Sequence, residues 1–333
     1  MMRSFGMLED GRSVEAIALG DPEGLQLEVL TYGAILRRLS FPVRGVRRDL
    51  ILHFDRLQDY ERDRAYVGSL VGRFGNRIAN ARFDLDGRRH ALTANEGANH
   101  LHGGALGFGK RVWRVLDISE KQGRRVVLGY RSPDGEEGYP GAVEATVELN
   151  VKPDALSIAL SARSDAATPV NLTYHPYFNL AGDFNQPAID QRLRIPAAHY
   201  LPVAAGLIPT GELAAVDGTT FDFRVSRRLR PPSQRHPQLA LAGGYDHCWV
   251  LEPDADCACE LSSRDLTLTM SGGPGLQFYN GQFLSRTHPA LGSGVILEPQ
   301  GYPNAPNESK FPSSILRPGE TWRNDIEYRL LAT

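Results

Sequence analysis

One histidine and one carboxylate stand out as a pair able to divide proton transfers between them. His175 lies in Thr173-Tyr174-His175-Pro176-Tyr177-Phe178-Asn179-Leu180-Ala181-Gly182, among aromatic and small residues. Glu298 follows the apolar run Val295-Ile296-Leu297 and precedes Pro299-Gln300-Gly301-Tyr302-Pro303. A histidine and a carboxylate can serve as acid and base at neutral pH, because surroundings can push their pKa values apart. Burial at the end of an apolar strand would raise the pKa of Glu298 and make it a better base. Tyr177 and Phe178 add ring faces that suit the apolar side of a pyranose. The stretch reads as the floor of a sugar site, with His175 as its general acid.

Four further clusters carry polar groups at spacings that chemistry could use. Val71-Gly72-Arg73-Phe74-Gly75-Asn76-Arg77-Ile78 offers donors from Asn76 and Arg77, but lacks the lysine and the spacing of a phosphate loop. Taken alone it reads equally well as a tight turn with a solvated arginine. Asn99-His100-Leu101-His102-Gly103-Gly104 would put His100 and His102 on one face of a strand. No local sequence supplies the further ligands a metal needs, so a histidine donating to a sugar oxygen is the better reading. In Gly243-Gly244-Tyr245-Asp246-His247-Cys248, Asp246 suits two sugar hydroxyls; Asp246-His247 also looks like two members of a hydrolase triad, but no Gly-x-Ser-x-Gly elbow occurs. Gly275-Leu276-Gln277-Phe278-Tyr279-Asn280-Gly281 is a strand ending in a turn, and Gln277 can donate and accept at once.

The elements that must hold these groups are strands. Leu25-Gln26-Leu27-Glu28-Val29-Leu30, Val143 to Leu149, Leu156 to Ser161 and Leu266 to Met270 all alternate apolar with polar, the mark of half-buried antiparallel strands. Asp86-Gly87 between two alternating arms predicts a hairpin over Phe83 to Leu92. Pro133-Asp134-Gly135 and Ser271-Gly272-Gly273-Pro274-Gly275 are further turns. Short helices are expected at Arg56 to Tyr60 and Ala65 to Val71. Pro202 to Pro237 reads as a long loop excursion. No repeat or linker divides the chain, so residues 1–333 are expected to form a single all-β domain, a large antiparallel β-sandwich.

The totals agree. A chain of 333 residues with a net charge of −2 and a hydrophobic fraction of 41% can build a substantial core, and it lacks the basic excess that nucleic acid demands. Cys248, Cys257 and Cys259 are odd in number and confined to one short segment, which argues for free thiols rather than a disulfide framework. No signal peptide or membrane-spanning apolar run is evident, so a cytoplasmic protein is expected.

With these clusters together, the chain resembles the aldose 1-epimerases, the galactose mutarotases, from about Gly20 to its end. The resemblance rests on Gly72-Arg73-Phe74-Gly75-Asn76-Arg77-Ile78, Leu101-His102-Gly103-Gly104, Pro133-Asp134-Gly135-Glu136-Glu137-Gly138-Tyr139-Pro140-Gly141, Asn171 to His175, Asp246-His247, Gln277-Phe278-Tyr279 and Leu297-Glu298-Pro299-Gln300-Gly301-Tyr302-Pro303, in the family's order. It implies a galactose mutarotase-like supersandwich with a monosaccharide in a cleft on one sheet. It implies His175 as acid and Glu298 as base, with Asn76, Arg77, His102, Asp246 and Gln277 holding the sugar and His102 near the ring oxygen. It calls for no metal, cofactor, nucleic acid or membrane, and for a monomer or homodimer. Gly75 stands where alanine is usual and His53 where glycine is usual; His53 is expected to alter only local packing. Two other readings remain: an epimerase of hexose 6-phosphates, for which Arg227, Arg228 and Arg230 are the candidate phosphate group, and a non-catalytic sugar-binding sandwich.

Overall fold

The computed structural model describes residues 2–119, 124–229 and 236–332. Three antiparallel sheets hold most of the strand residues. The largest has nine strands in the spatial order Arg114–Ser119, Arg125–Ser132, Val143–Val151, Ala155–Ser164, Trp322–Ala332, Leu266–Ser271, Cys259–Ser262, Arg192–Arg194 and Arg227–Arg228. A six-stranded sheet runs Tyr177–Phe178, Val295–Gln300, Gly275–Tyr279, Asp246–Val250, His199–Leu201 and Ala214–Ala215. A five-stranded meander from Met2 to Asp49 forms the third.

Alternation explains the nine-stranded sheet. Val143, Ala145, Val147, Leu149 and Val151 are buried while the residues between them are not, so one face enters the core and the other meets solvent. The buried face packs against the six-stranded sheet. Phe178, Trp249, Leu276, Phe278, Val295 and Leu297 join Val147, Leu160, Ile326 and Tyr328 in one core, with Phe178 edge-on to Tyr328 at 5.5 Å. The two sheets form the expected all-β sandwich.

The six-stranded sheet does not alternate in burial. Every residue of Gly275–Tyr279 and of Val295–Gln300 is buried. Its second face is covered by the loops that carry the functional residues, so the polar side chains on that face are held out of water.

The Asp86-Gly87 hairpin forms as expected between Arg82–Leu85 and Arg88–Ala91. Asp86 and Gly87 have φ values of 49° and 78°, as a two-residue turn of the favoured twist requires. The turn at Ser271 to Gly275 carries the chain from the nine-stranded sheet to the six-stranded one. The first expected helix appears as Leu57–Arg62. The second does not form: the carboxylate of Asp63 accepts the N–H groups of Ala65 and Val67 at 2.7 Å each, and Gly68 has φ +68°. A side chain that captures nearby N–H groups turns the backbone away from helix, and Leu70–Val71 becomes a strand paired with Thr173–Tyr174.

The Pro202 to Pro237 excursion contributes short edge strands to both sheets. Arg230, Pro231 and Pro232 lie outside the described residues. His53 is half-buried, 3.3 Å from Arg38 and edge-on to Phe184. All three cysteines are free and buried, and burial pushes the Cys257 thiol up to about 11.

Candidate functional site

Sheet register assembles the centre of the site. Cys248 pairs with Gln277, and Gln277 with Glu298, in one row across three strands. In the neighbouring row Asp246 pairs with Tyr279, Tyr279 with Ile296, and Ile296 with Tyr177. His175 lies two residues before Tyr177, just beyond the end of this pairing. Its own N–H and C=O are tied to Ser69 and Gly68 at 3.0 Å each. The histidine is thereby pinned to the 68–69 segment, with its ring nitrogen within 4.8 Å of the Glu298 carboxylate.

The opposite wall comes from the two glycine-rich clusters. Arg77–Ile78 pairs with His100–Leu101. Backbone N–H of His102 donates to Asn76 O at 3.2 Å, and backbone N–H of Asn76 donates to His102 Nδ1 at 3.1 Å. Gly103, at φ +85°, is required here: a Cβ on it would lie 1.7 Å from the carbonyl oxygen of Gly72. Together the walls enclose a cavity of about 180 Å³ lined by Asn76, Arg77, His102, His175, Tyr177, Asp246 and Glu298 among others. That is smaller than the roughly 300–1,000 Å³ of sites for drug-sized ligands and suits one small polar molecule. Gln277 sits beneath, buried, with Nε2 donating to Asp246 Oδ1 at 2.6 Å.

Electrostatics inside the cavity are set by burial and one cation. Arg77 forms a two-pronged ion pair with Glu96, both bonds 2.7 Å, and reaches Asp246 at 3.6 Å. Burial pulls its pKa down, but Asp246 and Glu96 outweigh that and hold it above its ordinary value. Glu298 is 2% exposed and its Oε1 has no protein partner. Burial, and then the charge of Asp246, push its carboxyl well above the usual range, against the pull of Arg77. Burial also raises Asp246, with Arg77 and Gln277 opposing. Burial drives His175 down to about 3, against smaller upward effects of nearby backbone at His175 and Tyr66. His175 and Glu298 are thus pushed in opposite directions, so the empty site keeps the pair's proton on Glu298 and leaves His175 neutral.

Several expectations change. His100 and His102 do not share a face: His102 has φ +50° and leaves the strand, while His100 turns into the core. There Nδ1–H donates to Thr93 O, and Nε2 accepts from Tyr139 OH, both at 2.7 Å. Phe178 points into the sandwich core, so of the two aromatic residues after His175 only Tyr177 lines the cavity. His247 faces away from the Asp246 carboxylate. Its Nδ1 accepts the Asp246 N–H and its Nε2 meets Gln238 Oε1, which leaves no triad. Arg73 is not solvated; it is 1% exposed. Arg227 lies over the Phe223 ring at 4.0 Å and donates to Tyr245 OH and Thr220 O, so it belongs to a local cluster outside the cavity lining.

Tyr66, Glu96, Phe283 and Thr287 also line the cavity. Tyr66 stacks obliquely on His102 at 4.6 Å and His175 at 5.7 Å. It falls in the segment first read as helix, which hid it. Glu96 sits in a turn-rich stretch with no periodic signal. Phe283 and Thr287 stand in the connection between two site strands.

Comparison with known proteins gives the family. The family model for aldose 1-epimerase matches residues 15–329. A galactose mutarotase from Sus scrofa is 37% identical over 335 residues, covering 96% of this chain and 95% of that protein. An aldose 1-epimerase from Escherichia coli K12 is 34% identical over 340 residues, covering 97% of each. Among solved structures, galactose 1-epimerase from Lactobacillus acidophilus superposes with a TM-score of 0.87 at 29% identity, covering 100% of this chain and 98% of that one. An aldose epimerase homologue from C. elegans gives the same TM-score and identity, covering 96% and 99%. With a family match and relatives above 30% identity along nearly its whole length, the chain belongs to the aldose 1-epimerase family.

Proposed function

We propose that this protein is a mutarotase, an isomerase that interconverts the α and β anomers of free aldoses such as galactose or glucose, with Glu298 as base and His175 as acid. The observation that carries the residue roles is the buried His175–Glu298 pair, which faces one small cavity with ring nitrogen and carboxylate oxygen within 4.8 Å of each other. Glu298 takes the proton of the C1 hydroxyl while the ring C–O bond breaks and His175 delivers a proton to the ring oxygen. The C1–C2 bond turns by about half a revolution, and the ring closes on the other carbonyl face with the roles reversed. General acid and base catalysis supplies about 10²–10⁴-fold for each such group, and fixed placement of the sugar adds to it. No redox or group transfer occurs, so the chemistry calls for no cofactor.

Asn76, Arg77, His102, Tyr177, Asp246 and Gln277 hold the sugar in this reading. Asp246 has a second effect, because its charge helps to raise Glu298. Asp246→Asn is therefore expected to raise KM by about 10–10²-fold, the worth of a charged hydrogen bond. It should also move the pKa of Glu298 down, shifting the alkaline limb of the rate profile to lower pH. An unchanged KM and an unchanged limb would remove Asp246 from the site.

The whole chain acts as one domain in this proposal, as a monomer or homodimer that sedimentation would distinguish. The free thiols suit the reducing cytoplasm, which cell fractionation would test. Among the described residues no helix is long and apolar enough to cross a membrane.

Polarimetry on freshly dissolved α-D-galactose and α-D-glucose tests the activity. The expected result is faster decay to the same final rotation. No acceleration on either sugar, with acceleration on glucose 6-phosphate, would favour the phosphosugar reading. Calorimetric binding without turnover would favour a binding module.

A further inference from the structure

Two histidines face the cavity side by side, with ring centres 5.1 Å apart, and the backbone distinguishes them. Asn76 has φ +66° and places its N–H 3.1 Å from His102 Nδ1. A ring nitrogen that accepts a hydrogen bond must carry a lone pair, so in the neutral imidazole the proton sits on Nε2. With Nδ1 occupied, the Nε2–H is the only group this ring offers a ligand. His175 differs: its Nδ1 is buried and has no hydrogen-bond partner among the described residues.

We propose, building on the mutarotase reading, that the Asn76 backbone N–H is a positioning group. It fixes His102 in the Nε2–H tautomer, so that His102 is a standing hydrogen-bond donor to the occupant of the cavity and takes no part in proton transfer or metal ligation.

Each exclusion follows from that one contact. A His102 that gave up its Nε2 proton would become an anion in a buried cavity. A His102 that gained a proton would set Nδ1–H against the Asn76 N–H, two donors face to face. Burial and the charges of His175, Arg77 and His100 also hold it neutral. Ring opening then balances without it: the C1–O5 electron pair goes to O5, O5 takes its proton from His175, and the C1 hydroxyl proton goes to Glu298. His102 ends the step with the proton it began with.

Metal ligation is blocked in the same way. His102, His175 and Glu298 each offer an atom within 4.8 Å of the others, a donor set and spacing that zinc uses elsewhere. A ligating histidine gives the metal one lone pair and donates its other N–H to an acceptor. At His102 a donor stands where that acceptor would be needed, so zinc finds two ligands rather than three.

Nitrogen-edited NMR of the wild-type histidines reads the tautomer directly, whether or not the protein proves to be a mutarotase. The expected result is a single Nε2–H form of His102 that does not titrate between about pH 5 and pH 8. An Nδ1–H form, or protonation of this ring near neutral pH, would overturn the proposal. Activity gives a second readout. His102→Gln sets an amide N–H near the position of Nε2 and should keep the rate within about tenfold, while His102→Leu should lose about 10²-fold, the worth of one such donor. Equal losses in the two variants would overturn the donor role. Micromolar zinc should leave the wild type uninhibited; potent inhibition that His102→Gln abolishes would overturn the metal exclusion.

Discussion

Glu298→Gln is expected to lower the mutarotation rate by about 10²–10⁴-fold while making the fold more stable, and the gain should grow with pH. Glutamine matches the shape of the glutamate but cannot take the C1 proton. The stability effect follows from the raised pKa. Burial is its main cause and the charge of Asp246 the second. A carboxyl whose folded value lies above its unfolded value contributes stability that is present below the unfolded value, near 4.5, and lost as pH rises through the folded value. Ionised Glu298 therefore works against the fold over that window, at about 1.4 kcal/mol for each unit the pKa is displaced. Glutamine does not ionise, so the melting temperature of the variant should exceed that of the wild type by more at pH 8 than at pH 5. Scanning calorimetry at both values checks the sign. A variant that is less stable at both, or one that retains near wild-type rates, would show that Glu298 is not a strained base.

The same displacement shapes the reaction. His175 is driven to about 3 and Glu298 upward, so between those limits the pair holds one proton, and the steps belong to the pair rather than to either residue. The empty site favours the proton on the carboxyl, which is also its position after ring opening. In the proposed mechanism the resting protonation is therefore the one that accompanies the open-chain aldehyde, the species between the two anomers. An enzyme that must run both anomers through that intermediate gains by stabilising it rather than either ring form.

Much of this was legible in the sequence, and what was not has physical causes. Val143–Val151 and Leu266–Ser271 alternate because one face meets water, so the outer sheet could be read directly. The strands that carry Gln277 and Glu298 are buried on both faces, and their apolar runs show only that they are buried. His175 and Glu298 stood out as polar groups in such surroundings. Tyr66 was hidden because Asp63 captures two N–H groups and unwinds a segment with helical composition. The separation of His100 from His102 depends on one left-handed residue, His102 itself, a conformation that a histidine seldom adopts and that nothing local announces.

Arg73 is the residue whose role the sequence most obscured, and Arg73→Met is expected to cost about 3–5 kcal/mol of stability, because it leaves several buried carbonyl and hydroxyl acceptors without their donor. Between its glycines it looks like a solvated turn residue, yet it is 1% exposed. One guanidinium nitrogen donates to Pro140 O at 3.0 Å, Gly141 O at 2.8 Å and Thr168 Oγ1 at 3.4 Å. The other reaches Ser132 Oγ at 2.5 Å and Pro133 O at 3.2 Å, and the group lies over the Tyr139 ring at 5.3 Å. Methionine fills the volume but leaves three carbonyls in the interior without this donor, at about 1–3 kcal/mol for each that finds no other. Lysine should recover less than half of the loss, because an ammonium on a flexible stem cannot reproduce a planar fork aimed at both sides of a turn. The residues that follow, Asn76 and Arg77, form a wall of the cavity, so the folded fraction of the variant should also bind sugar more weakly. Urea unfolding followed by tryptophan fluorescence measures the first effect and KM the second. A loss below about 1 kcal/mol would mean that the turn carbonyls find other donors when the arginine is gone. The anchoring role would then pass to the backbone bond between Gly75 N–H and Asn171 O at 2.6 Å, which ties the same segment to the strand leading into His175.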